Sequence, residues 1–100
     1  MQEISLQPAK AQEVRVTLGN QSCRIRLHQR STGFYIDLWM NDSPVMQGVI
    51  CLNCTRLVRY PYLKFAGDLV FVDTLGTDDP TWSGIGDRFR LYYLTDEELQ

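Results

Sequence analysis

Apolar and polar positions alternate through the first half of the chain. Val14, Val16 and Leu18 alternate with Arg15 and Thr17; Cys23, Ile25 and Leu27 with Arg24, Arg26 and His28; Phe34, Ile36, Leu38 and Met40 with Tyr35, Asp37 and Trp39. A period of two puts each set on one side of a sheet, which predicts strands over residues 13–18, 22–29 and 34–40. Gly19-Asn20 ahead of Gln21-Ser22 has the chemistry of a hairpin turn, and Gly33 after Ser31-Thr32 can take the positive φ that a second one needs. Asn41-Asp42-Ser43-Pro44 is the strongest turn signal, because each residue favours local side-chain bonding or a preset φ.

The remaining elements are shorter. Ile4 and Leu6 suggest a first strand closed by Pro8, and residues 45–52 a fourth sheet strand interrupted at Gly48. Residues 55–60 read as one helical turn with Leu57 and Val58 inward, stopped by Pro61. The apolar run between Asp68 and Asp73 predicts a strand covered on both faces. A long loop over residues 74–86 follows, and a last strand over 88–94 opposes Phe89, Leu91 and Tyr93 to Arg88, Arg90 and Tyr92. Thr95 begins an N-capped helical start too short to stand alone. The expectation is one all-β domain, a small antiparallel β-sandwich or barrel of about seven strands with one short helical turn.

Composition narrows the function classes. One hundred residues hold one core, and 10 basic against 12 acidic side chains leave a net charge of -2, so no overall field draws the chain to nucleic acid or anionic lipid. No signal-peptide pattern and no apolar run of about 20 residues is present, so the chain is expected to be made in the cytoplasm with no membrane partner. Three cysteines without a secretory signal read as reduced thiols.

The candidate chemistry is thin. Cys51-Leu52-Asn53-Cys54 has the spacing of half a zinc site or a redox pair. The further ligands available, Cys23 and His28, are five apart on an alternating strand and so on opposite faces, and no βαβ unit accompanies the motif. These thiols are read as small hydrophobes, with a labile disulfide as the alternative. His28 is the single histidine and is expected to face solvent. Asp73, Asp78 and Asp79 do not have calcium-loop spacing and read as turn chemistry. No catalytic, metal or cofactor site is assigned, and no enzyme is expected.

What stands out is the polar face of Arg15, Arg24, Arg26, Tyr35 and Trp39, with Arg88, Arg90 and Tyr92 as an extension. Three readings compete for it: a protein interface anchored by arginine and aromatic rings, a small barrel that stacks single-stranded nucleic acid, and internal cross-strand pairing of Asp37 with Arg24 or Arg26. The acidic balance weakens the second. Tyr62, within Tyr60-Pro61-Tyr62-Leu63 and near Phe65, and Trp82 in the long loop add aromatic surface that favours the first.

Several segments in order carry a family resemblance. They are Ile4-Ser5-Leu6, Leu18-Gly19-Asn20-Gln21 leading into Cys23-Arg24-Ile25-Arg26-Leu27, and Thr32-Gly33-Phe34-Tyr35-Ile36-Asp37-Leu38. Tyr62-Leu63 follows, then Gly67-Asp68-Leu69-Val70-Phe71-Val72-Asp73, Asp79-Pro80-Thr81 and Ile85-Gly86-Asp87-Arg88-Phe89-Arg90-Leu91-Tyr92-Tyr93. In these the chain resembles the baseplate plug proteins of contractile-tailed bacteriophages, of the cyanophage type. Cys23 stands where that family tends to have a larger side chain, and Cys51 and Cys54 are not among its features. The resemblance implies a structural virion part of the tail baseplate, plugging or lining the central hub channel before DNA ejection. Its implied partners are hub, tail-tube and tape-measure proteins and further copies of itself around the tail axis, with no specific nucleic acid.

Overall fold

The computed structural model describes residues 2–58, 67–95 and 98. Among these residues the strands are β1 (Gln2–Ile4), β2 (Ala11–Leu18), β3 (Gln21–Arg30), β4 (Gly33–Met40), β5 (Ser43–Ile50), β6 (Asp68–Asp73) and β7 (Phe89–Leu94). Consecutive hairpins build a four-stranded antiparallel sheet in the order β2-β3-β4-β5, while β1, β7 and β6 form a three-stranded antiparallel sheet in that order. Two sheets over one core make the fold a sandwich, the first of the two all-β alternatives.

Alternation creates that core. Ile25, Leu27, Phe34, Ile36 and Leu38 from the larger sheet meet Leu69, Phe71 and Leu91 from the smaller, all essentially without solvent exposure. Phe34 and Phe71 meet edge to face across the gap, with centroids 6.3 Å apart and planes at 78°. All three hairpins of the larger sheet turn in two residues, and in two of them both loop residues have positive φ: Gly19 and Asn20 (φ 55° and 64°) between paired Leu18 and Gln21, and Asn41 and Asp42 (φ 51° and 66°) between paired Met40 and Ser43. Positive φ at both loop positions matches the twist of the flanking strands.

Three sequence expectations change. Residues 55–58 are not helical: Arg56 pairs antiparallel with Val70, and the Leu57 N–H donates to the Leu69 carbonyl at 3.0 Å. This segment, with Asn53 paired to Phe71, covers the outer edge of β6, whose backbone groups would otherwise lack partners. Residues 59 and 60 lie outside the described residues. Among the described residues the helical turn is instead a 3-10 turn at Trp82–Gly84, inside the long loop.

β6 is likewise not covered on both faces. Leu69 and Phe71 are buried, but Val70 and Val72 are only half-buried, because their side chains lie on the outer face of the sandwich beside Tyr92 and Arg90 of β7. The first strand stops at Ile4, with Leu6 entering the core from the connection. At the C-terminal end the Thr95 N–H donates to Glu98 Oε1 (3.0 Å) and the Glu98 N–H to Thr95 Oγ1 (3.3 Å), the reciprocal bonds of a capping box. No helix among the described residues is long and apolar enough to cross a membrane.

Candidate protein interface

Register across β2, β3 and β4 assembles the polar face in rows. Arg15 lies opposite Arg24, which lies opposite Trp39; Glu13 is opposite Arg26, which is opposite Asp37; Ala11 is opposite His28, which is opposite Tyr35. The five residues expected on one surface therefore share one: the outer face of the four-stranded sheet.

Trp39 is its centre. The Arg24 guanidinium lies 4.2 Å from the ring centroid and that of Arg26 lies 5.3 Å from it, leaving the ring 9% exposed. A ring so covered offers bases no open stacking platform, which weighs against nucleic-acid binding. Arg24 also pairs with Glu13 at 3.6 Å.

Asp37 holds Arg26 as an acceptor: Arg26 Nε and Nη2 donate to Asp37 Oδ2 at 3.2 and 3.1 Å. Its other oxygen accepts the Gly48 N–H at 2.6 Å. Between the pairs Ile36–Val49 and Leu38–Met46 the register of β5 shifts, so Asp37 faces both Gln47 and Gly48 at a bulge. The sequence break at Gly48 (φ 65°) is this bulge, and its freed backbone N–H is what the carboxylate takes.

Tyr35 makes the third row. His28 stacks on it with centroids 5.9 Å apart and planes at 18°, Arg30 lies 5.5 Å from its ring, and its hydroxyl shares a 2.7 Å hydrogen bond with Thr32 Oγ1. His28 is thus half-buried rather than solvent-facing, because register sets it against the tyrosine ring. Arg15 is exposed, and no ion pair or ring contact engages it among the described residues.

The proposed extension of this face does not join it. Arg90 and Tyr92 lie on the outer face of the smaller sheet, on the far side of the sandwich, where Arg90 bonds Glu3 at 3.3 Å. Arg88 precedes β7 and is bound inside the loop: its Nε and Nη2 donate to Asp73 Oδ1 (2.8 Å) and Oδ2 (2.7 Å), and Nη2 also to Asp78 at 2.7 Å. Trp82 is half-buried against the core under Lys10, and its backbone N–H donates to Gln29 Oε1 at 3.1 Å. Tyr62, with Tyr60 and Phe65, lies outside the described residues.

The aspartates of the long loop organise its backbone. Asp73 accepts the Leu75 and Asp78 N–H groups at 2.9 and 2.8 Å, and Asp79 accepts that of Asn53 at 2.9 Å. The Arg88 hydrogen bonds, with the two backbone donors, hold the Asp73 carboxyl well below the usual carboxylate range. The positive charge beside Asp73 and Asp78 is this guanidinium.

Cys51 and Cys54 do not share surroundings. Cys51 is buried in the core, which pushes its thiol pKa up, as expected of a small hydrophobe. Cys54 is exposed in left-handed backbone (φ 54°), its thiol donating to Asn53 Oδ1 at 3.5 Å, so the hydrophobe reading fails for it. Cys23 is buried on the inner face and His28 lies on the outer, as alternation requires.

Sequence reading missed Asp68. It accepts the Val58 and Leu69 N–H groups, each at 2.7 Å, and Arg56 Nε at 3.1 Å. The signal was present as a carboxylate at each end of the apolar stretch 69–72; which arginine answers each depends on folding.

No curated protein matches the chain. The family model described as cyanophage baseplate Pam3 plug gp18 matches residues 1–97. That family is a structural part of the virion tail baseplate and implies association with other baseplate components. With its match running through both sheets and every strand, the chain belongs to the cyanophage baseplate plug family.

Proposed function

We propose that the chain closes or lines the central hub channel of a contractile-tail baseplate and links the hub to the tail-tube or tape-measure protein until DNA ejection, with several copies around the tail axis. The observation that carries this reading is the family match over residues 1–97. The outer face of the four-stranded sheet is the contact surface within it. Arginine and tryptophan are the side chains that most often anchor interfaces, and here they are held in place before any partner arrives. Such a polar contact holds through oriented charge and ring area and separates without exposing a large greasy surface.

Co-expression with the hub, tail-tube and tape-measure proteins tests the proposal. Retention of the tagged hub by this chain through purification is expected, with further retention of tube or tape-measure protein. Failure of all three to co-purify with it overturns the proposal.

A further inference from the structure

The four strand edges of the sandwich are not equally protected. β1 is three residues long, β6 is covered by the segment around Asn53 to Leu57, and β5 carries Pro44 and two register shifts. Such devices keep sheet edges from pairing with other chains. β2 has none of them: its eight residues pair with β3 in unbroken register from Ala11–His28 to Leu18–Gln21.

The direction of its free backbone groups follows from one bond. The Gln29 N–H donates to the Lys10 carbonyl at 2.7 Å, so these two residues form a hydrogen-bonded pair. Period two then points the backbone groups of Gln12, Val14 and Val16 towards β3, and those of Ala11, Glu13, Arg15 and Thr17 away from the sheet. Among the described residues no backbone hydrogen bond reaches that outward row. Val14 and Val16, on the inner side of the strand, are only half-buried at the rim of the core.

The sequence of β2 is complementary to itself when reversed about Val14. Two copies laid antiparallel in that register set Glu13 of each opposite Arg15 of the other, Ala11 opposite Thr17, and Val14 opposite Val14. The outward backbone groups then face each other in four bonded pairs. Centring on Glu13 or Arg15 would instead place like charges directly opposite, which is destabilising; centring further along shortens the overlap. Arg15, which has neither ion pair nor ring contact among the described residues, gains the Glu13 carboxylate that Arg24 meets at 3.6 Å within each chain, and the half-buried valines gain cover.

We infer that β2 pairs with β2 of a second copy, antiparallel and centred on Val14, joining two four-stranded sheets into one of eight. Such a two-fold contact closes on itself and leaves the Trp39 face open on the joined sheet. The inference stands on the edge of β2 and does not rest on the baseplate reading.

Sedimentation of the purified chain across a concentration series, before any hub protein is added, tests it. The expected result is a monomer–dimer equilibrium that Arg15→Glu, an exposed substitution, weakens roughly tenfold or more, since two opposed charge pairs become like-charged at once. The double reversal Glu13→Arg with Arg15→Glu restores the opposition and is expected to restore the dimer. In a Cys54→Ser background, Val14→Cys is expected to form an intermolecular disulfide on mild oxidation, as directly opposed Cα atoms about 4.5 Å apart permit. A wild-type chain that stays monomeric throughout the series, or a dimer indifferent to Arg15→Glu, overturns the inference.

Discussion

Asp37, Asp68 and Asp73 are buried, and each is held by one arginine that remains partly exposed and by at least one backbone N–H. A carboxylate is removed from water here only where its oxygens are bonded on both sides. Because Arg26 is largely solvated, the bond of Asp37 to the Gly48 N–H at the bulge outweighs the ion pair. Asp37→Ala is expected to cost about 1–3 kcal/mol in urea unfolding by removing the charged acceptor that the Gly48 N–H and Arg26 share. Asp37→Asn retains an acceptor and is expected to cost less; equal losses would show that charge rather than the bulge bond dominates. For Asp73, a carboxyl whose pKa is lower folded than unfolded stabilises the chain above its ordinary value, near about 4, and that contribution fades as pH falls through the folded value. Acid titration should therefore show stability declining below about pH 4. Asp73→Asn should be less stable than wild type at neutral pH and flatter in acid.

The elements follow from patterns that act locally. Two-residue turns at Gly19-Asn20 and Asn41-Asp42 fix register, and register fixes which face each side chain joins. Asp42 holds left-handed backbone at φ 66° that glycine adopts freely, so Asp42→Gly is expected to raise the unfolding free energy by about 0.5–1 kcal/mol, read as a higher denaturation midpoint. The strands and the Arg15, Arg24, Arg26, Tyr35 and Trp39 face were legible because period two is decided within a strand. Three features were not, since they depend on distant chain: the cover on β6 by Arg56 and Leu57, the capture of Arg88 by Asp73, and the placing of Arg90 and Tyr92 on the other side of the core. Arg88 reads as strand continuation from its alternation with Phe89, yet β7 begins one residue later and the arginine is drawn into the loop. His28 fails for a related reason, its burial being set by Tyr35 on the next strand.

At the scale of the molecule, one core separates two unlike outer faces. On the larger sheet, guanidinium groups lie over Trp39 and Tyr35 in a constrained array; on the smaller, Arg90 and Tyr92 stand among half-buried valines. Membership of the baseplate plug family makes association with other baseplate components the setting in which these faces act. The proposed contact lies on the larger sheet because its charged groups are already oriented, so little side-chain freedom remains to be lost on binding. The most direct test is the affinity of the purified chain for the hub protein, measured for Arg24→Ala and Arg90→Ala side by side with thermal melts to confirm that both fold. Arg24→Ala should weaken binding by roughly tenfold or more while Arg90→Ala leaves it near wild type. Loss of binding with Arg90→Ala and its retention with Arg24→Ala would place the contact on the opposite face.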